Sequence, residues 1–168
     1  MWEKIRDDVI RDLKASVKTT RLIITGISLG GGLAQLSYID IKASGAFDNV
    51  EVITFGTPRV GNKNWAAFFD SIVEHSRFYI FDDPVPAFPT CLTILCNYKQ
   101  TGIAFVCVES TETCTRKTSD SISLFQEAAN LVSELKEHSS ELMKDDSNGG
   151  VINHIFGYKK VKTYTLKN

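Results

Sequence analysis

Gly26-Ile27-Ser28-Leu29-Gly30 has the form G-x-S-x-G, the spacing that places a nucleophilic serine on a sharp turn between a strand and a helix. A serine hydroxyl is a weak nucleophile at neutral pH. It needs a base, usually histidine, to take its proton, and a carboxylate to hold the imidazole in its useful tautomer. With the serine on such a turn, the chain order is serine, acid, histidine. Asp82 and Asp83 follow an apolar run and precede Pro84, so either can supply the acid. Of the 3 histidines, His75 precedes both carboxylates and is excluded by order. His138 falls on the polar side of a predicted helix, as a solvated residue would. His154 follows Asn148-Gly149-Gly150 in a predicted loop, where such a base belongs.

The turn is so tight that the serine backbone is strained and its neighbours must lack bulk. It also aims the first amides of the following helix at a developing negative charge. The backbone N–H of Leu29 is therefore the expected oxyanion donor. Glycine-rich turns of this kind also bind phosphate. No Lys-Ser or Lys-Thr follows here, and Gln35 stands where the dinucleotide pattern wants glycine or alanine, so both phosphate patterns fail. A phosphate-binding loop of another pattern and a purely structural glycine turn are the two rivals.

The elements around the motif alternate. Trp2, Ile5, Val9, Leu13 and Val17 make one apolar helical face. Residues 21–25 read as a buried strand, and Leu33 to Ile39 as a helix that stops near Gly45. Residues 50–55 are a second strand, followed by a loop over Gly56 to Gly61. Asn64 to Glu74 is a predicted helix with Trp65, Phe68, Phe69 and Ile72 on one side, and Arg77 to Phe81 a third strand. Asp83-Pro84-Val85-Pro86 ends it, because proline cannot extend a ladder. Strands alternating with helices predict a parallel sheet covered on both faces, with ligands at the C-terminal strand ends. Ser28 and Asp83 both fall just past strand ends. Farther on, Thr101 to Val108 reads as a strand and Ser119 to Met143 as a long helix. Asp145 to Gly150 reads as a loop, and Tyr158 to Leu166, which alternates weakly, as either a last strand or a loose tail.

The totals describe one domain of 168 residues, 43% hydrophobic, with a formal charge of −1. No run of Lys or Arg suggests nucleic acid as a partner, and no apolar stretch approaches the ~18 residues of a membrane span. No signal-peptide pattern is present at Met1. The chain is accordingly read either as cytoplasmic or as a fragment beginning inside its domain. Cys91, Cys96, Cys107 and Cys114 fall in one segment without a C-x-x-C pair, so a zinc site is not expected. They fit either two local disulfides in an oxidising compartment or buried free thiols.

Four segments together resemble the fungal-type, or class 3, triacylglycerol lipases. They are Thr25 to Ala34, resembling the nucleophile elbow; Ile53 to Asn62, the next strand and loop; Asp82 to Pro86, the acid-bearing turn; and His154 with Gly157-Tyr158, the histidine segment. The resemblance implies an α/β-hydrolase fold with Ser28, Asp83 and His154 as the triad. Lipid esters would be the substrates, with transient contact to a lipid surface, and no metal or cofactor would be needed. Ile27 departs from the family's usual histidine at a position outside the chemistry. The family carries a further stretch of chain before the elbow, which supplies the first strands, the second oxyanion donor and a lid. The resemblance thus favours the fragment reading, an exposed sheet edge awaiting that segment or a partner chain, and a secreted protein. The competing expectation is a truncated, catalytically weak or inactive lipase-like chain acting as a binding module.

Overall fold

A computed structural model describes residues 1–16, 21–81, 83–89, 97–117 and 165–167. A 3-10 turn, Trp2–Lys4, leads into helix α1 (Arg6–Ala15). Strand β1 (Leu22–Ile27) runs directly into helix α2 (Leu29–Ala43), and β2 (Val50–Phe55) follows. The two-residue β3 (Gly61–Asn62) precedes α3 (Lys63–Ile72) and β4 (Glu74–Ile80). A short 3-10 turn at Val85–Ala87 follows, then β5 (Tyr98–Lys99), β6 (Ile103–Val108), β7 (Thr113–Lys117) and β8 (Thr165–Lys167).

The main sheet has the order β1-β2-β4-β6-β7-β8. β1, β2, β4 and β6 are mutually parallel, β7 runs antiparallel to β6, and β8 lies parallel to β7. The small strands β3 and β5 pair separately. The successive steps β1 to β2 to β4 go the same way across the sheet, each through a helix. Right-handed crossovers in one direction put both helices on one face. The packing agrees: Ala34 and Tyr38 of α2 and Phe69 of α3 share a buried cluster with Val50 and Val52, against which Leu13 of α1 also packs. This is the mostly parallel sheet with helices that the α/β-hydrolase expectation required. The predicted helix Ser119–Met143 lies outside the described residues, as do the loop 145–150 and the strand 158–166 apart from Thr165 and Leu166.

Three local expectations change. β1 is half-buried in alternation, with Ile23 and Ile27 on the outer face more than 40% exposed. It ends the described strand order, and the three described helices cover only its other face. α2 starts four residues earlier than the periodicity suggested, because the glycines after Ser28 lie inside its first turn. α3 ends at Ile72 and β4 begins at Glu74, so the strand starts three residues before Arg77. Phe69 of α3 is fully buried, whereas Phe68 and Ile72 are exposed.

The early start of β4 is held by side chains on the helix-covered face. His75 is buried, with Nε2 2.9 Å from Thr54 Oγ1 and Nδ1 3.0 Å from Thr101 Oγ1. Thr101 Oγ1 in turn donates to Gln35 Oε1 of α2 (2.9 Å). The neutral imidazole therefore carries its proton on Nδ1, facing Thr101, and accepts from Thr54 at Nε2. Burial, helped by the nearby Arg77 guanidinium, lowers the His75 pKa to about 3. On the opposite face Phe55, Phe78 and Phe105 stack side by side across three strands, with centroids 5.5 and 4.7 Å apart. A disulfide joins Cys107 of β6 to Cys114, its register partner in β7. That pair therefore follows the disulfide expectation; Cys91 and Cys96 lie outside the described residues.

Candidate active site

β1 leaves the sheet at Ile27, and Ser28 stands alone between strand and helix with φ 54° and ψ −128°. A residue with a Cβ is rarely found there, and holding it costs on the order of 1–3 kcal/mol. Three contacts enforce the turn. Ser28 N–H donates to Phe55 C=O at the end of β2 (2.9 Å), and Gly31 N–H donates to Ser28 C=O (3.0 Å). Gly26 lies against the first turn of α2, where a Cβ would come within 2.2 Å of Gly30 C=O. Helix geometry leaves the N–H groups of the first turn without intrahelical acceptors. The Leu29 amide, the predicted oxyanion donor, is one of them, beside the serine hydroxyl.

Asp83 sits three residues past the end of β4 and is buried despite its carboxylate. Its N–H donates to Ile80 C=O (3.0 Å), and its Oδ1 accepts from Val85 N–H (2.9 Å). Pro84 then opens the 3-10 turn, closed by Ala87 N–H to Pro84 C=O and Phe88 N–H to Val85 C=O. Because β1 and β4 are parallel to the shared neighbour β2, Ser28 and Asp83 emerge at the same sheet edge. Their strands, β1 and β4, stand two strand spacings apart, about 10 Å. That gap is too wide for a direct hydrogen bond and suits an imidazole placed between them. His75 cannot fill it. It pairs in register with Val52, whose partner Ile24 lies four residues before Ser28, so it sits about 13 Å down the strands. His154, His138 and Asp82 lie outside the described residues.

Residues that the pattern reading passed over tie the two site loops together. Gln100, buried, donates through Nε2 to Thr57 C=O (2.8 Å) and to Pro86 C=O (2.7 Å). Arg59 N–H donates to Phe88 C=O (2.7 Å), and its guanidinium donates to Pro89 C=O (2.8 Å). In sequence, Thr57 and Arg59 belong to a loop marked by glycine and proline, and nothing in the spacing singles out Gln100. Among the described residues, no group of three His, Cys, Asp or Glu side chains is placed to hold a metal ion.

The family description Lipase (class 3) matches residues 1–93. Over 91 residues, 52% of this chain, the sequence is 33% identical to the secreted mono- and diacylglycerol lipase A of Penicillium cyclopium, covering 30% of that protein. It is 38% identical over 88 residues to secreted mono- and diacylglycerol lipase 2 of Gibberella zeae, covering 20% of that protein. The matched part thus spans less than a third of the length of these relatives. A solved lipase from Rhizopus microsporus var. chinensis superposes with a TM-score of 0.55 at 28% identity, over 62% of this chain and 38% of that one. The mono- and diacylglycerol lipase from Aspergillus oryzae does so with a TM-score of 0.54 at 26% identity, over 63% and 39%.

Proposed function

The chain belongs to the class 3 lipase family, and from that premise we propose that it carries the serine nucleophile of a carboxylic ester hydrolase acting on lipid esters. Ser28 Oγ attacks the ester carbonyl while His154 accepts its proton. The oxyanion forms beside the Leu29 N–H. The C–O bond to the alcohol breaks as His154 returns the proton to the leaving oxygen. Water then attacks the acyl-serine with His154 again as base, releasing the carboxylic acid and restoring Ser28. Asp83 holds the imidazole and stabilises its charged form. The role of His154 rests on chain order and on the family resemblance of its segment.

The observation that carries the reading is the backbone of Ser28. A non-glycine residue at φ 54° and ψ −128° between a strand and a helix is strain that a purely structural turn would avoid by using glycine. The surroundings suit an apolar substrate. Ile27, Leu29, Phe81, Phe88 and Val108, all at or just past C-terminal strand ends or beside the acid turn, are exposed. Exposed apolar side chains at this end of the sheet favour acyl chains and brief contact with a lipid surface. Mono- and diacylglycerols, named in the matched relatives, are the substrates to try first. Those relatives are named as secreted, and the Cys107–Cys114 disulfide suits the same oxidising setting.

The purified chain is treated with a fluorophosphonate probe and assayed on a short-chain ester, with Ser28→Ala as control. Labelling and turnover that both vanish in the control are expected. A chain that takes no label, or a control that labels equally, overturns the proposal.

A further inference from the structure

We propose that Gln100 is a positioning residue: its single carboxamide sets the acid-bearing turn relative to the nucleophile helix. The inference rests on the hydrolase reading of Ser28 and Asp83. Each link is a contact. Thr57 packs into the space left by the absent side chain of Gly31, in the first turn of α2, and is fully buried there. Its carbonyl accepts from Gln100 Nε2, and the same nitrogen donates to Pro86 C=O, three residues past Asp83. Pro86 is itself fully buried. One path from Ser28 to Asp83 outside the sheet therefore runs through a single NH2 group with both of its protons committed, beside the Arg59 contacts to Phe88 and Pro89.

The orientation of that amide is fixed by its neighbours. Both contacts are carbonyl oxygens, so only the NH2 end can face them. Gln100 Oε1 is left buried without a hydrogen-bond partner among the described residues. An apolar side chain of equal length would avoid that cost, so packing alone does not call for glutamine here. Two carbonyls from separate loops accept from this one nitrogen, and without a donor there both lose a buried partner. The acid turn also carries its own short-range bonds, from Val85, Ala87 and Phe88, and Arg59 holds its far end at Phe88 and Pro89.

The test compares the full chain with Gln100→Met, which keeps length and apolar bulk and removes both donors. Amide hydrogen exchange at Val85, Ala87 and Phe88 is expected to accelerate at least roughly tenfold, with the amides of Val52 and Thr54 in β2 unchanged. Ester hydrolysis is expected to lose roughly ten- to a hundredfold in kcat with KM nearly constant. Equal acceleration everywhere, or none at the turn, overturns the proposal. The exchange measurement needs no turnover, so a parent chain that fails to hydrolyse esters counts against the hydrolase reading alone. Should the variant not fold, the Gln100 side-chain NH2 protons of the parent decide. They are expected to exchange at least tenfold slower than those of free glutamine, and equal rates overturn the proposal.

Discussion

Thr57 occupies the space that a side chain on Gly31 would need: a Cβ there would lie 1.8 Å from Thr57 Oγ1 and 2.9 Å from Thr57 Cβ. Both residues are buried, so neither can swing into solvent. Gly31→Ala is expected to destabilise the chain by about 1–3 kcal/mol, the usual cost of overpacking. Thr57→Ala removes the hydroxyl and methyl but leaves the atom at 2.9 Å, so the double variant should recover part of that loss. Urea unfolding of the four proteins measures the coupling. Strict additivity would mean that the two residues do not touch.

The two glycines of the elbow motif are not equivalent. A Cβ on Gly26 would stand 2.2 Å from Gly30 C=O and 2.6 Å from Gly31 N, both backbone atoms of the helix that must start there. A Cβ on Gly30 meets nothing within 4 Å. Gly26→Ala is expected to cost about 3 kcal/mol or more, or to prevent folding. Gly30→Ala is expected to leave stability unchanged or to raise it by up to about 1 kcal/mol, from helix propensity. Thermal unfolding of the two single variants checks the contrast, and similar losses in both would contradict so close an approach of strand to helix at Gly26.

Strain at Ser28 should be visible as stability gained when it is relieved. Glycine accepts φ 54° without penalty. The relief of about 1–3 kcal/mol outweighs the extra backbone entropy glycine loses on folding, about 0.5–1 kcal/mol. Ser28→Gly is therefore expected to unfold at higher urea, by about 1 kcal/mol, while losing all fluorophosphonate labelling. A less stable Ser28→Gly would show that the serine side chain is needed to hold the turn.

What the sequence disclosed and what it concealed divide along a physical line. Strand–helix alternation, the elbow glycines and the proline-bounded acid turn are local signals, and the sheet edge shared by Ser28 and Asp83 follows from them. The start of β4 was hidden because Glu74-His75-Ser76 carries no strand pattern. Only the hydroxyls of Thr54 and Thr101, distant in sequence, make a buried strand position acceptable to His75. The exposure of Phe68 and Ile72 was hidden for a similar reason. Periodicity gives the apolar arc of a helix but not how much of it a neighbouring element covers. Thr57 and Gln100 were illegible as site residues because Thr57 acts through its own backbone carbonyl and Gln100 binds backbone carbonyls, which leave no trace in residue type. Placement of His154 stays with the pattern and resemblance that suggested it.

His75 should make the fold sensitive to mild acid. Its folded-state pKa of about 3 lies below the ordinary value of 6.5, with burial as the first cause and the Arg77 charge as the second. Between those two values the unfolded chain binds a proton that the folded chain does not, so stability falls as pH is lowered through that window. Above about pH 6.5 the ring is neutral in both states and contributes no slope; below about 3 it is charged in both. Within the window the slope from this residue is at most about 1.4 kcal/mol per pH unit. Measured by urea unfolding from pH 7 down to 4, the parent should lose stability more steeply than His75→Gln by up to that amount per unit. The glutamine can still meet the Thr54 and Thr101 hydroxyls and carries no titrating proton, so it starts from a lower but flatter curve. Parallel curves for the two proteins would mean that the folded chain admits a proton at His75 as readily as the unfolded one, and that the ring is not sealed between the two threonines.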